Sequence, residues 1–302
     1  MTGNHHGDES GRAGFSLVAV LVFMLIVSAI VVPFAVTAKT RLLIASNGLE
    51  QERLSLLAEG LSNVVSSELT NGPVETLAMN STPMGCQSGE LTFEVRIQDH
   101  NGLIDLNAAD ADLLALGFVS LGFDRGTAGD LAKAALRFRV NASAFAAQSD
   151  PATSSVGPLE SKGAPFESVS ELKEFSGLGS KRLEDLYAVF TVHSKRGTTS
   201  LEHAPGRLRA SLVEPGTGAA TTQVAPIAPA FTVEVTARRN GSAIVGRSGF
   251  IIEMFPDSVA GFRRLARNPT NAVDPAPARS FTTNCDALFG AEAAQALREF
   301  AS

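Results

Sequence analysis

The sequence has no tryptophan and a single tyrosine, Tyr187, so a base-stacking platform of the kind used by single-strand nucleic-acid binders would be hard to build. An excess of positive charge is also missing. Lys and Arg number 25 against 31 Asp and Glu, a formal net charge of -6, which argues against general attraction to nucleic acid or anionic lipid. Cysteine is scarce: Cys86 and Cys285 lie far apart and form no metal-type spacing with the histidines. His5, His6, His100, His193 and His203 fall into neither a Ser/His/Asp nor an HExxH arrangement, so no catalytic constellation is legible. What remains is a chain of 302 residues, 44% hydrophobic, long enough for one large or two ordinary domains and composed for protein contacts rather than catalysis.

Against this scarcity stands one long apolar run. Phe15 to Ala38, FSLVAVLVFMLIVSAIVVPFAVTA, holds 24 residues without a charge and ends at Lys39. As a helix it would extend ~36 Å at ~1.5 Å per residue, enough to cross a hydrocarbon layer of ~30 Å. The core helix of a soluble protein rarely runs this far without a polar face, and the apolar region of an ordinary secretory signal is shorter. From Leu49 to Leu69 the pattern changes: Leu54, Leu57, Leu61, Val64 and Val65 share one face at helical spacing, with Glu and Arg opposite. The spacing predicts one rod out to about Thr70, broken in its hydrogen bonding only at Pro33, which lacks an N–H. Asn71-Gly72-Pro73 then supplies three helix enders in a row.

Gly11-Arg12-Ala13-Gly14 stands immediately before the run, and Phe15-Ser16-Leu17 opens it. A short polar leader, a glycine, a phenylalanine and an uninterrupted apolar helix resemble the signal of type IV prepilins and type II secretion pseudopilins. The resemblance implies that a prepilin peptidase cuts between Gly14 and Phe15 on the cytoplasmic side and N-methylates the new terminal phenylalanine. Two features depart from the pattern. Asp8 and Glu9 accompany Arg12 in the leader while Lys39 and Arg41 follow the run, so the positive-inside rule does not reinforce that orientation. Position 19, the fifth mature residue, is Ala19 where most pilins carry a glutamate. A carboxylate at that depth is costly unless a neighbouring subunit pairs it, so its absence suits a subunit at a filament end and resembles pseudopilin protein K.

Beyond the rod the period shifts to two. In Glu90 to Gln98, ELTFEVRIQ, Leu91, Phe93, Val95 and Ile97 alternate inward as a strand. In the following DHNGLIDLNA, Asp99 to Ala108, Asn101-Gly102 reads as a turn and Asn107 as a helix N-cap, which puts Asp110 at the third helical position. From Asn107 to about Val192 the pattern is helical. One helix, GTAGDLAKAALRFRV, ends near Asn141; an Ala- and Ser-rich loop runs to Gly157. Phe166 to Gly179 then leads through a Gly177-Leu178-Gly179 hairpin into a second helix ending LEDLYAVFTVHS. Pro215 to Pro229 reads as a linker, Phe231, Val233 and Val235 as a strand, and Ala243 to Phe255 as one or two more. Past Pro256 the composition is rich in Pro, Asn and Ala, with a short helix candidate at Ala291 to Phe300.

This order of parts, and the D-x-N-G-x-I-D-L-N stretch above all, is similar to the type II secretion system protein K family, minor pseudopilins of the general secretion pathway. Ala108 stands where that family usually has threonine, and Glu202-His203-Ala204-Pro205 where it has an N-T-A-P run. The resemblance implies an α+β fold: a pilin-like long N-terminal helix plus antiparallel sheet, with an inserted small helical domain of helix-hairpin-helix or SAM-like type. The expected parts are a prepilin leader 1–14, a transmembrane and extended amphipathic helix 15–72, a pilin-like body from 85–106 and 190–255, an inserted helical domain 107–190 and an irregular tail 256–302. It further implies a single-pass, non-enzymatic protein of the inner membrane of a Gram-negative bacterium, with its ectodomain in the periplasm. Its partners would be other minor pseudopilins in a tip complex, and its role would be to cap the periplasmic pseudopilus during protein export across the outer membrane.

Three further features carry competing readings. Helix-hairpin-helix units often bind DNA backbone, and Lys181 and Arg182 beside Gly177-Leu178-Gly179 fit that use, but Glu171, Glu174, Glu184 and Asp185 crowd the unit with opposite charge. A packing hairpin and no nucleic-acid partner are therefore expected; the alternative function is a minor pilin or DNA-uptake component of a type IV pilus-like system. Cys86 and Cys285 either pair in an oxidising compartment or stay as two separately buried thiols. Asp99, Asp105, Asp110 and Asp112 raise calcium, which some members of the resembling family bind, as a candidate ion. They lack the D-x-[DN]-x-[DN]-G order with a distal Glu, so capping and solvation account for them, no ligand residue is assigned and no cofactor is required.

Overall fold

The computed structural model describes residues 9–71, 77–140, 157, 162–213, 221–222, 230–255, 259–267 and 285–301. Residues 1–8 of the leader, most of the expected loop 141–157 and most of the expected linker 215–229 lie outside them. The chain divides into two compact units, Met1–Arg53 and Leu54–Ser302.

The first unit is helical. Helix α1 spans Glu9–Asn71 and passes through Pro33. Around that missing N–H, the hydroxyls of Thr37 and Thr40 donate to the carbonyls of Pro33 and Val36, at 2.8 and 3.0 Å. Among the described residues α1 is the one helix long and apolar enough to cross a membrane by length and composition.

The second unit starts with the last turns of α1 and builds an α+β fold. Strands β1 (Met84–Ser88), β2 (Leu91–Asp99), β7 (Ala230–Arg239), β8 (Val245–Met254) and β9 (Phe262–Arg267) form one sheet in the order β1-β2-β7-β8-β9, antiparallel throughout. The strand alternation read from the sequence holds: Leu91, Phe93, Val95 and Ile97 of β2 are buried, as are Phe231, Val233 and Val235 of β7. Onto these residues α1 lays Leu54, Ala58, Leu61, Val65 and Leu69, a stripe at helical spacing. The helix approaches β8 closely because the strand is small there. A Cβ added to Gly246 would lie 2.1 Å from the carbonyl carbon of Leu54, and the hydroxyls of Ser62 and Ser248 stand 3.2 Å apart nearby.

Helix α6 (Cys285–Ala301) completes this core with Leu288, Phe289, Ala294 and Leu297, Phe289 packing edge-on against Phe93 at 5.9 Å between centroids. Cys285 is disulfide-bonded to Cys86 of β1, with Cα atoms 5.1 Å apart and a sequence separation of 199. The tail expected to be irregular over 256–302 therefore supplies an edge strand and a core helix. The short helix expected at Ala291 to Phe300 is the second part of α6, which is broken at Gly290 (φ 76°), while Leu288 and Phe289 before the break and Arg263 and Arg264 of β9, which balance charges on other elements, gave no periodic signal.

Asp99, the last residue of β2, pairs with Phe231 of β7, so residues 100–229 are an insertion between two neighbouring strands. The insertion contains a 3-10 turn (His100–Gly102), β3 (Ile104–Asp105), α2 (Ala111–Ser120), α3 (Arg125–Arg139), two further 3-10 turns (Val169–Glu174 and Ser176–Leu178), α4 (Leu183–Tyr187), β4 (Phe190–Thr191), β5 (Thr199–Ser200), α5 (Gly206–Val213) and β6 (Thr221–Thr222). It has its own core, centred on Leu113, Leu114, Phe118, Leu131, Phe175 and Phe190. Ala204, Leu208 and Leu212 belong to that core, so the helical insertion runs past the expected boundary at 190 and the sheet body resumes only at Ala230. The expected second helix also ends early: Phe190–Thr191 is a strand, pairing in parallel with Ile104–Asp105, and the residues before the Gly177 hairpin form 3-10 turns.

Candidate assembly helix and buried polar junction

The first candidate feature is the apolar part of α1. Leu17, Leu21, Phe23, Leu25 and Phe34 are all exposed, Leu25 and Phe34 at 70% and 73%, and Leu42, Leu43, Ile44 and Leu49 continue the exposed series. Apolar surface of this extent is stable only against hydrocarbon or other apolar helices. The processing residues Gly14 and Phe15 lie within the helical span of α1, and their side chains fall outside the described residues. Ala19, exposed, brings no carboxylate to that surface.

The second feature is a cluster of buried polar groups where the insertion leaves the sheet. Asp99 is 2% exposed and accepts the N–H of Asn101 at 2.7 Å, which caps the 3-10 turn. Its other oxygen accepts from Nδ1 of His203 at 2.5 Å. That bond raises the His203 imidazole above its ordinary pKa, against the opposing effect of partial burial. The amide of Gln98 donates to the carbonyls of Asp99 and His203, and Gly102 lies so close that a Cβ there would sit 2.1 Å from the His203 carbonyl oxygen. His203 and its loop are thus clamped onto the Asn101-Gly102 turn.

His100 lies beside this clamp, 2% exposed. Its Nδ1 meets the Thr191 hydroxyl at 2.7 Å and its Nε2 the Thr232 hydroxyl at 2.9 Å. A neutral imidazole offers one donor and one acceptor, and a hydroxyl can serve either, so the ring joins β4 of the insertion to β7 of the sheet. Burial, and then the neighbouring His193, push its pKa down to about 3. The two rings stand 5.6 Å apart, and His193 is itself lowered, chiefly by burial.

Asp105 anchors the next turn. One oxygen accepts the N–H groups of Asn107 and Ala108 at 2.8 and 3.1 Å, the other the N–H of Lys195 at 2.7 Å and the Ser194 hydroxyl at 3.2 Å. Asn107, expected as an N-cap, instead brackets the backbone of Phe166, donating to its carbonyl at 2.9 Å and accepting its N–H at 2.7 Å. The cap of α2 falls to Asp110, which accepts from Leu113 N–H at 2.9 Å. Asn107 is diverted because its amide can satisfy both backbone groups of a distant chain segment, whereas Asp110 offers only acceptors. The acids expected to be solvated or capping are therefore mostly engaged, and among the described residues no group of three or more His, Cys, Asp and Glu side chains is arranged to hold a metal.

Leu178 of the Gly177-Leu178-Gly179 hairpin is fully buried. The hairpin's cations turn to local partners. Lys173 donates to the carbonyls of Gly179 and Lys181, Lys181 donates to Leu121 at 2.7 Å and lies over the Phe123 ring, and Arg182 pairs with Glu184 at 3.1 Å. The roles of His100 and His203 were not legible in sequence, nor was Arg139, whose guanidinium donates to the carbonyls of Leu106 and Ala109. Their partners lie about 30 to 130 positions away, beyond any local pattern.

No family model matches the sequence, and no curated protein matches it significantly. Among solved structures the chain is similar to one from the GspK-GspI-GspJ complex of the type 2 secretion system of enterotoxigenic Escherichia coli. The similarity has 12% identity and a TM-score of 0.46, over 76% of this chain and 98% of that one.

Proposed function

We propose that this chain is a minor pseudopilin of a type II secretion system, resembling protein K, that works through protein contacts and carries out no catalysis. The observation that carries this proposal is the division of α1: exposed and apolar from Leu17 to Val36, then part of the sheet's core from Leu54 to Leu69. One helix is both an apolar stem and a structural member of the globular body, which is what lateral packing of subunits through their stems requires.

In this proposal a prepilin peptidase removes Met1 to Gly14 and methylates Phe15. The stem rests in the inner membrane until it packs against other pilin-like helices, with residues 54–302 on the periplasmic side. The insertion between β2 and β7 adds bulk that disfavours stacking beneath an identical copy, and Ala19 needs no partner for a buried acid. Both favour a terminal position, as a cap on a short filament bound to other minor pseudopilins.

The test is intact mass after expression with and without a prepilin peptidase. Loss of Met1 to Gly14 with a methylated Phe15 is expected; an uncut chain, or a cut near Ala38, would overturn the pilin class. Co-purification with other minor pseudopilins tests the tip complex, and a chain that stays alone under all conditions would count against it. The turning of the hairpin cations toward local carbonyls and carboxylates gives no support to DNA contact, and the absence of a gel shift at moderate salt is the expected result.

A further inference from the structure

Strand β9 is an edge of the five-stranded sheet, and the role proposed above makes no use of it. At the opposite edge β1 has α6 against it, tied by Cys86–Cys285. Among the described residues no strand pairs with the outer side of β9, so its outward N–H and C=O groups stand as a template for a further strand. The strand reads FRRLAR, three arginines and no acid, in a chain of net charge -6. Beside it, between insertion and sheet, opens a cavity of about 170 Å³ lined by Val169, Tyr187 and Val192 of the insertion and by Ile251, Leu265 and Ala266 of the sheet. We infer that β9 is a docking edge: an acidic, extended segment of a partner protein adds to it as a further strand and seats one aliphatic side chain in the cavity.

The charges select the partner. Glu253 is shared by Arg263 at 2.5 Å and Lys195 at 4.0 Å. Arg264 turns to the other face of the sheet, over the Phe250 ring and onto Glu59 of α1. Arg267 is exposed and has no carboxylate partner among the described residues, and Glu167 on the cavity wall pairs with Lys162 at 3.6 Å. The edge is left with more cations than acids. An antiparallel copy of β9 would set arginine against arginine, and that repulsion keeps two copies of this chain apart. An acidic strand is drawn to the same groups, so the charges discriminate between the two occupants.

The cavity selects the side chain. Polar groups on its wall answer one another, His100 with the hydroxyls of Thr191 and Thr232 at 2.7 and 2.9 Å and Tyr187 with Ser168 at 2.9 Å, so they make no call for a polar guest. The volume is below that of a typical metabolite site and suits one branched side chain. Pairing between β8 and β9 is irregular here: Ile251 pairs with Ala266 and Ile252 with Arg264, so Leu265 is the extra residue of a bulge. The bulge brings Leu265 as well as Ala266 to the cavity wall. A strand added along β9 would hold its own side chains about 5 Å from these two, at the cavity mouth.

The test uses the full chain in micelles and a fluorescent peptide of about eight residues alternating glutamate and valine, read by anisotropy. Binding should be saturable and should protect from hydrogen exchange the N–H groups of β9 that point away from β8. Lysine in place of glutamate in the peptide should abolish it, and alanine in place of valine should weaken it about tenfold. Arg267→Glu, at an exposed position, should weaken the acidic peptide about tenfold and admit the lysine peptide. Ala266→Phe, which obstructs the cavity mouth, should weaken the valine peptide and leave the alanine peptide unchanged. No binding, equal binding of the glutamate and lysine peptides, or binding that survives N-methylation along the peptide backbone would each overturn the docking edge. So would outward N–H groups of β9 already protected in the lone chain, whether by its own residues or by a second copy.

Discussion

Gly246→Ala is the sharpest test of how α1 is joined to the sheet. The added Cβ would meet the Leu54 carbonyl carbon at 2.1 Å, the Ser55 nitrogen at 2.3 Å and the Leu54 Cβ at 2.4 Å. Two of these three are backbone atoms, so no rotamer change relieves the clash; the helix must lift from β8 by more than ~1 Å, given ordinary contacts near ~3.5 Å. Lifting loosens the packing of Leu54 and Ala58 and stretches the Ser62–Ser248 contact. Overpacking of this kind costs about 1–3 kcal/mol, and a backbone clash belongs at the upper end, so a loss of about 3 kcal/mol is expected after the small gain from restricting the unfolded chain. Gly60 gives the contrast. It lies on the outer face of the same helix, where an added Cβ would meet nothing within 4 Å, so Gly60→Ala should stabilise by about 0.5–1 kcal/mol. Pulse proteolysis of the full chain in micelles across a urea series reads both. With a slope near 2–3 kcal/mol per molar urea, Gly246→Ala should unfold about 1 M earlier than the parent. An unchanged midpoint for Gly246→Ala, or an equal loss in both variants, would refute the close packing of α1 on β8.

The Cys86–Cys285 bond closes a loop of 199 positions, for which chain entropy sets a ceiling of about 5 kcal/mol; native disulfides usually deliver about 2–4. The paired Cys86→Ala, Cys285→Ala variant, or reduction of the parent, should therefore lower the urea midpoint by about 1 M, and equal midpoints would show that α6 is held without the bond. The Asp99–His203 pair predicts a pH dependence of stability. Because the folded pKa of His203 is raised, its stabilisation is full below about pH 6.5 and is lost as pH climbs through the raised folded value. Urea midpoints between pH 6.5 and 8.5 should decline in the parent and flatten in Asp99→Asn; a decline that survives unchanged in that variant would remove His203 as its cause.

The elements legible in the sequence were those with a local period. The apolar run from Phe15 and the Leu54–Val65 stripe defined α1, and strict alternation defined β2 and β7, because burial on one face imposes a repeat of about 3.6 or 2 on the residues that bear it. The turn at Asn101-Gly102 and a helical stretch after it were likewise written locally, whereas its place as an insertion was implied by the resemblance alone. Tertiary structure decided the rest. Asn107 lost its capping role to a bracket on Phe166, 59 positions away, and Asp99 and His203 met across 104. Whether Cys86 and Cys285 pair depended on α6 reaching β1, and the tail became core only because Phe289 found Phe93 there. A side chain's periodicity is fixed by its neighbours along the chain, whereas a polar group's partner is fixed by which distant backbone or hydroxyl the folded core brings within about 3 Å.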